Sequence, residues 1–539
     1  MSEEESILSV EVFFCLILVT LFMHLTVYLN IWKVRYIHES GIIIIIGIII
    51  GIILYFAWEE PAKFDASIFF NFMLPFIILS YGFNLKRRRI FRNISQIILY
   101  GVIGTILNFV LISWFSNLLS NWGAMYTDGG KTEYISFEES LYLGAVLSAS
   151  DAICVLSLVQ ENKTPQLHSL VFGEHIVNDA IAILLVRSVK EAGFQTWTAG
   201  NFFSFVGIFC IETFLGVIFG IAFGIFCSFA TRYLWELREE ESKQLALMFY
   251  IAWLGYVIAE MCQVSGVITI LICGIFSNHY AWYNLTSHAR IVVSNSFKFF
   301  GDGATATVFA YLGLTSVTYT NQDISYSYIL CMVFSLMFAR FITTFGLSYF
   351  ARRHTKNFSL NNRSLSLFWI GGAIRGAIAF ALILTVGKDE TGSEDDKNIL
   401  HVTVLGIVIV TTLVIGSILP IWVKIIKPEE ETSKVVDEDD VRRTLLAVKR
   451  DNFVVTQEDL AKPKSWLHRK WVEIDDKHLK PRLIHPHALE EQLKAQQKLE
   501  EKLKEENADV YQIAREIAEE GKEEEKTDLL GDLRKSDDR

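Results

Sequence analysis

Long apolar blocks without charged residues recur through most of this chain, and they restrict its fold more than any other feature. A helix that crosses a bilayer needs about 20 such residues, because it rises about 1.5 Å per residue through roughly 30 Å of hydrocarbon. About 13 blocks qualify, and they start near Ile7, Gly41, Ala66, Ser95, Glu138, Gln166, Phe202, Gln244, Gly266, Phe297, Ser325, Ser364 and Asn398. The pattern predicts an all-α membrane protein with about 13 transmembrane helices.

The basic residues predict how the chain is oriented in its membrane. One set of loops holds most of the Lys and Arg residues, including the run 86–89 and the pair Arg352 and Arg353, whereas the opposite set holds few. Because basic loops stay in the cytoplasm, we expect a lumenal or extracellular amino terminus and a cytoplasmic carboxyl tail. The acidic start and the length of the first block favour a retained span over a cleaved signal peptide.

Other classes of protein are disfavoured by composition. The formal charge of −11 gives no indication of nucleic-acid binding. The seven cysteines all fall inside apolar blocks without metal-ligand spacing, so the sequence predicts neither a disulfide framework nor a zinc site.

Beyond Lys427-Pro428 the composition becomes charged and polar, which divides the chain into a transmembrane domain, 1–427, and a cytoplasmic tail, 428–539. The stretch from Arg442 to Val455 is basic and amphipathic, so it could lie on anionic lipid, bind a regulatory protein, or remain a solvated helix. From His487 to about Asp528 the pattern is typical of a long solvated helix, with a coiled coil as one option.

Charges inside spans are energetically expensive and are therefore candidates for function. The fifth block contains Ser148-Ala149-Ser150-Asp151. Small hydroxyl residues beside a carboxylate allow a helix to unwind and to present oxygen ligands, as transporters do at mid-membrane depth. A hydrogen bond between helices is the alternative role for Asp151.

The sixth block carries Glu174, Asn178 and Asp179. Glu174 and Asn178 are four residues apart and share a helix face, with Asp179 about 100° round. An Asp in a water-accessible cavity with apolar walls can bind a proton or a hard monovalent cation, but not both together. Competition for this one carboxylate is enough to couple the two fluxes, and neither a cofactor nor ATP is needed.

The twelfth block contains Gly371-Gly372-Ala373-Ile374-Arg375-Gly376. Three glycines around one arginine predict a helix break, and a buried Arg375 needs a carboxylate partner, for which Glu174 is the natural candidate. Glu260 and Arg340 are further charges with apolar flanks, to which we assign structural or modulating roles. Asp302, in Gly301-Asp302-Gly303, could have either a structural or a functional role.

Together these motifs resemble the eukaryotic sodium/proton exchangers of the monovalent cation:proton antiporter 1 family. The resemblance covers about residues 10–425 and is nearest the vacuolar and endosomal branch. The residues that carry it are Ser148 to Asp151, Leu167 to Glu174, Asn178-Asp179, Leu74-Pro75, Ala259-Glu260, Ser265 to Val267, Gly274, His279-Tyr280, Leu312-Gly313 and Gly371 to Phe380.

The resemblance implies a homodimer. Each protomer would be built from inverted repeats, with a dimerisation domain and a mobile core that carries two crossed broken helices and moves like an elevator. It implies electroneutral exchange of Na⁺ or K⁺ for H⁺ across an endosomal, vacuolar or plasma membrane, and hence no enzyme activity. Asp179 and Asp151 would be the metal-cation ligands, with Asn178 and Ser150 beside them. Glu174 and Arg375 would form the internal ion pair.

Three positions depart from the family pattern. Ala152 follows Asp151 where the family has Pro or Ser, and Pro75-Phe76 replaces a double proline. Thr305 replaces an acidic residue seven before Leu312-Gly313, and Asp302 is the candidate substitute. We therefore treat Thr305, Asp302, Glu260 and Arg340 as candidate modulators.

Rival functions remain open on the same residues. An electrogenic antiporter would need a second titrating carboxylate, which Asp151 could supply, whereas a channel would need a filter-like loop that the sequence does not show. An intramembrane enzyme built on Ser150/Asp151 or His175/Asp179 lacks a nucleophile elbow or an HExxH pattern. A sensor that works through its tail would not depend on Asp179.

Overall fold

The computed structural model describes residues 16–22, 39–58, 68–85, 87–123, 134–159, 164–193, 198–234, 240–317, 325–354, 360–387, 394–426 and 474–487, with positions 24, 25, 28 and 470. The regular elements in these ranges are all helical, and no strand occurs in them. The expectation of an all-α protein is confirmed.

The helices follow one another with short connections. The first seven are α1 (Glu39–Trp58), α2 (Phe69–Met73 as a π-helix, then Leu74–Phe83), α3 (Arg87–Ile98, a π-helical Leu99–Gly104, then Thr105–Asn121), α4 (Phe137–Ser148), α5 (Ile153–Leu158), α6 (Pro165–Ala192) and α7 (Ala199–Tyr233). The rest are α8 (Glu241–Met261), α9 (Gly266–Phe276, continued by Ser277–Ala281 and Trp282–Asn284), α10 (Ser287–Ser316), α11 (Tyr326–His354), α12 (Asn362–Gly371), α13 (Ala377–Ile383) and α14 (Glu394–Val410, a π-helical Thr411–Ile415, then Gly416–Ile426).

Seven helical segments in the described ranges are long and apolar enough to cross a membrane, which identifies a multi-helix membrane protein. They are Asn93–Asn121, Phe137–Leu158, Gln166–Ala192, Ala199–Tyr233, Glu241–Met261, Tyr326–Arg353 and Asp396–Ile426. Each apolar block from the second onward coincides with a helix. The largest shift is at the block placed near Phe297, whose helix begins about ten residues earlier, at Ser287.

The helices pack into two groups. The flanking bundle consists of α1, α2 and α7–α10, and the broken-helix bundle consists of α3–α6 and α11–α14. Small residues allow the closest approaches, since Gly47 of α1 lies directly against Gly313 of α10. The helix α6 of the broken-helix bundle packs along α7 and is the main contact between the two groups.

A segment of the tail is docked on the flanking bundle. Asp475 accepts hydrogen bonds from Tyr280 Oη at 2.7 Å and from His279 Nε2 at 2.9 Å. Asn284 Nδ2 donates to the carbonyl of Leu483 at 3.1 Å. The two predicted tail helices lie outside the described residues, except for His487 at the start of the second.

Candidate functional site

The helix that begins at Phe137 breaks where the sequence predicts. Glu139 and Ser136 form a capping box at its start, and the α-helical hydrogen bonds stop at Ser148, so that residues 149–152 are non-helical before α5 begins. Ser150 and Asp151 are buried in this break. Asp151 Oδ1 accepts the N–H of Ile153 at 3.0 Å, which supports the start of α5.

A second break separates α12 from α13 and crosses the first. The Asp151 N–H donates to the carbonyl of Ile374 at 2.9 Å, so the two unwound segments are joined by a backbone hydrogen bond. Gly376 makes this approach sterically possible, because a Cβ at this position would lie 2.6 Å from Asp151 Oδ2. The expectation of two crossed broken helices therefore describes the structure.

The helix α6 brings its polar residues against the first break. Asn178 Nδ2 donates to Ser150 Oγ at 2.7 Å and to Glu174 Oε1 at 3.2 Å. The His175 Nδ1 atom lies 2.8 Å from the Ser150 carbonyl oxygen and 3.5 Å from Asp179 Oδ2. Asn178 thus links the cavity residues to the charge network around Glu174.

The internal ion pair differs from the one expected. Glu174 Oε1 lies 2.9 Å from Arg340 Nη2, and both side chains are buried. Arg375 instead directs Nη1 to the carbonyl of Gly372 at 2.9 Å. The predicted Glu174–Arg375 pair is therefore wrong at the level of direct contact, because Arg340 on α11 occupies the position beside Glu174 and stacks over Phe368.

Asp151 and Asp179 line one small cavity. Its wall also contains Ser150, His175, Tyr81 and Thr305. Within the described part of the chain, Asp151 Oδ2 and Asp179 Oδ2 are buried without a hydrogen-bond partner. Carboxylate, hydroxyl and carbonyl oxygens are the ligands that hard cations prefer, so this cavity can accept either a cation or a proton.

The candidate modulators lie at different places relative to the cavity. Thr305 lines the cavity and donates to the Gly301 carbonyl at 2.9 Å. Asp302 is exposed and is not part of the cavity wall, so it does not take the place of an acidic residue at position 305. Glu260 accepts the N–H of Gly266 at 2.8 Å and pairs with Arg187 at 3.3 Å.

Three residues near the site have roles that the sequence did not reveal, and a fourth, His175, was considered there only as a candidate partner of Asp179. His175 lies on the same face as Asp179, four positions earlier, and its spacing was the one available signal. Tyr81 lines the cavity from α2 and its ring lies 5.6 Å from that of His175. Thr411 and Thr412 hydrogen-bond to the second break, and threonine in an apolar helix carries no such signal.

Comparison with known proteins agrees with this architecture. The chain is 29% identical over 484 residues to sodium/hydrogen exchanger 4 of Arabidopsis thaliana, which covers 83% of this chain and 89% of that protein. It is 28% identical over 436 residues to sodium/hydrogen exchanger 9 of Equus caballus, covering 79% of this chain and 65% of that protein. The fold is similar to that of the sodium proton antiporter MjNhaP1 from Methanocaldococcus jannaschii, with a TM-score of 0.56, 16% identity and coverage of 78% and 98%.

The family model described as sodium/hydrogen exchanger, transmembrane, matches residues 17–425, which contain α1 to α13 and all but the last residue of α14. The match includes both crossed breaks and the polar face of α6. This chain therefore belongs to the family of transmembrane sodium/hydrogen exchangers.

Proposed function

We propose that this protein exchanges one Na⁺ or K⁺ for one H⁺, and that both bind in turn at Asp179 and Asp151. Asn178 and Ser150 complete the site, because their hydrogen bond at 2.7 Å joins α6 to the first break. The two free carboxylate oxygens in the cavity provide a negative centre that either ion neutralises. Competition for this centre couples the two fluxes.

The proposal of electroneutral exchange rests on the net charge of the buried groups around the cavity. The carboxylates of Glu174, Asp151 and Asp179 and the guanidiniums of Arg340 and Arg375 interact electrostatically. The proposal requires a neutral His175, for which three negative and two positive groups leave a formal charge of −1. A net charge buried at membrane depth is energetically expensive. One proton or one monovalent cation makes the cluster neutral, so the loaded site can cross in either form without moving charge.

The proposed movement is an elevator-like shift of the broken-helix bundle against the flanking bundle. Both breaks and all members of the charged cluster belong to the broken-helix bundle, so the site can move as one unit. A homodimer formed through the flanking bundle, as in the family resemblance, would hold the other bundle free to slide.

The basic loops support a cytoplasmic tail and a lumenal or extracellular amino terminus, in an endosomal, vacuolar or plasma membrane. Residues 442–455 would bind a regulatory protein or anionic lipid, which their basic and amphipathic sequence favours.

The test is exchange by purified protein in proteoliposomes that contain a pH-sensitive dye. Na⁺, K⁺ and Li⁺ are added in turn against a proton gradient, and the ion that dissipates the gradient is the substrate. Asp179→Asn should abolish exchange. The matched control is Glu240→Gln, which removes an exposed acidic side chain outside the cavity wall and should retain exchange. Retained exchange in Asp179→Asn would refute the proposed site.

Electrogenic exchange is the second candidate, since Asp151 Oδ2 has no partner in the described part and could carry its own proton. Clamping the membrane potential with valinomycin and K⁺ separates the two in Na⁺-driven exchange. An electroneutral exchanger keeps its rate under the clamp, whereas an electrogenic one runs faster. Cation flux without any proton flux would indicate a channel.

A further inference from the structure

The second break takes backbone groups out of the helical hydrogen-bond pattern within the membrane domain, so they need partners from other elements. The Gly372 N–H still donates to the Phe368 carbonyl at 3.1 Å, but residues 373–376 leave the α-helical hydrogen-bond ladder, and they are buried. Water cannot satisfy such groups at this depth, so each unpaired N–H or C=O would cost several kcal/mol. The groups that hydrogen-bond to this unwound segment therefore help to fix its position.

Two consecutive threonines satisfy both backbone groups of Arg375. The Arg375 N–H donates to Thr411 Oγ1 at 3.2 Å, and Thr412 Oγ1 donates to the Arg375 carbonyl at 2.9 Å. Thr411 and Thr412 are 0% and 1% exposed, so water does not compete with these bonds.

The hydroxyl protons of Thr411 and Thr412 each have a backbone carbonyl as acceptor. Thr411 Oγ1 donates its own proton to the carbonyl of Ile407 at 2.8 Å, which leaves a lone pair for the Arg375 N–H. Thr412 uses its proton on the carbonyl of Arg375. The two residues open the π-helical turn Thr411–Ile415 of α14, and π-turns within longer helices are frequent at functional sites.

The residues on either side of Arg375 set the position of Asp151. Ile374 accepts the Asp151 N–H at 2.9 Å, and Gly376 packs directly against the Asp151 carboxylate. A shift of the unwound segment at Arg375 would therefore move Asp151 relative to Asp179. Because ligands must be held within about 0.5 Å of productive geometry, such a shift would change how tightly the cation binds.

We propose that Thr411 and Thr412 are positioning residues for the cation site, which set the affinity for the transported cation by fixing the second break. The inference rests on the proposed function, because its main readout is cation-driven exchange. The threonines do not bind the ion themselves. They act through the backbone of Arg375 on Asp151.

The test compares Thr411→Val and Thr412→Val, which keep the shape and lose the hydroxyl, with Thr411→Ser and Thr412→Ser, which keep the hydroxyl. Each valine variant should raise the cation concentration for half-maximal exchange about tenfold, equivalent to about 1.4 kcal/mol, with the maximal rate within about twofold of the wild type. The serine variants should stay within about twofold of the wild type in both quantities.

The control is Thr315→Val, which removes a buried hydroxyl whose bonds among the described residues stay within its own helix, to Tyr311 and Leu312. It should leave half-saturation unchanged. If a valine variant is not monodisperse, cysteine at the same position retains a weak hydrogen-bonding group and should give an intermediate half-saturation. Unchanged half-saturation in folded valine or cysteine variants, or serine variants as impaired as valine, would overturn the inference.

A second readout does not depend on transport. Amide hydrogen exchange at residues 374–376 should be faster in the valine variants than in the serine variants and the wild type. If the wild type exchanges neither Na⁺ nor K⁺, the proposed function fails, while faster amide exchange would still identify the threonines as the partners of the break. If the wild type is active and the valine variants match it in both readouts, only the positioning role fails.

Discussion

Glu174 and Arg340 form a buried ion pair, with Oε1 2.9 Å from Nη2 and side chains 1% and 2% exposed. The pair joins the middle of α6 to the middle of α11. Glu174 also accepts a hydrogen bond from Asn178, which in turn holds Ser150. Two successive hydrogen bonds therefore connect the ion pair to the wall of the cavity that contains Asp151 and Asp179.

Replacing one member of this pair should destabilise the protein strongly. Arg340→Met leaves the Glu174 charge buried without its partner, for which we expect a loss of about 3–5 kcal/mol. The measurement is thermal unfolding followed by fluorescence-detected size exclusion. The double variant Glu174→Gln/Arg340→Met removes both charges and should recover part of the loss. Lys243→Gln breaks an exposed pair with Glu240 instead, and should change stability by less than about 1 kcal/mol. An Arg340→Met protein as stable as the wild type would contradict this role.

Gly372 makes room for the Arg340 guanidinium. A Cβ at position 372 would overlap Arg340 Nε and Nη2, so Gly372→Ala should displace the guanidinium from Glu174 and cost about 1–3 kcal/mol. The matched control is Gly346→Ala in α11, where nothing lies within 4 Å of a new Cβ. Alanine there should be neutral or stabilise by up to about 1 kcal/mol. Equal melting temperatures for the two variants would show that the guanidinium can move without loss.

Arg187 contacts three carboxylates, two of which link the two bundles. Its Nε lies 3.0 Å from Glu191 of its own helix and 3.2 Å from Glu212 of α7, and Nη1 lies 3.3 Å from Glu260 of α8. Glu212 is 4% exposed, so Arg187→Gln should leave a buried carboxylate poorly satisfied and cost about 1–3 kcal/mol.

The melting temperature measures this loss, and Arg187→Gln/Glu212→Gln should restore most of it. Glu191→Gln, which changes the most exposed of the three partners, should have little effect. If the double variant is no more stable than Arg187→Gln, the destabilisation does not come from the Glu212 charge.

Docking of the tail should depend on pH through Asp475. Burial raises the pKa of this carboxyl, but hydrogen bonds from His279 and Tyr280 and the nearby charges of His279 and Lys480 outweigh burial and lower the pKa to about 2. Since the folded-state pKa lies below the ordinary value of 3.8, the stabilisation is complete above about pH 4 and is lost as pH falls from about 4 to about 2. Its size is about 2–3 kcal/mol.

A spin label at the exposed position 478 reports this docking. It should be immobile at pH 6 and become mobile toward pH 2 in the wild type. Asp475→Asn should make it mobile at both values, whereas Lys477→Gln, which changes an exposed side chain, should behave like the wild type. A label whose mobility is independent of both pH and Asp475 would show that other contacts hold the segment.

Features that depend on local composition follow from the sequence. The number and approximate position of the helices follow from the length of the apolar blocks, because a bilayer imposes that length on any spanning helix. The two breaks follow from Ser148 to Asp151 and from Gly371 to Gly376, since small residues, glycine and charge disfavour a continuous helix there. The shared face of Glu174 and Asn178 on α6 follows from their spacing of four residues, whereas the family resemblance, not local composition, implied that this face meets the first break.

Only the tertiary structure decided which groups meet across long sequence separations. Arg340 rather than Arg375 pairs with Glu174, because that choice depends on how α11 and α12 cross α6, and no local pattern encodes a crossing. The same holds for Thr411 and Thr412 at the second break, for Asp302 lying outside the cavity, and for Asp475 at the end of α9. The sequence of this protein specifies which side chains are costly to bury in a membrane. The packing of its helices specifies the partners that make their burial stable.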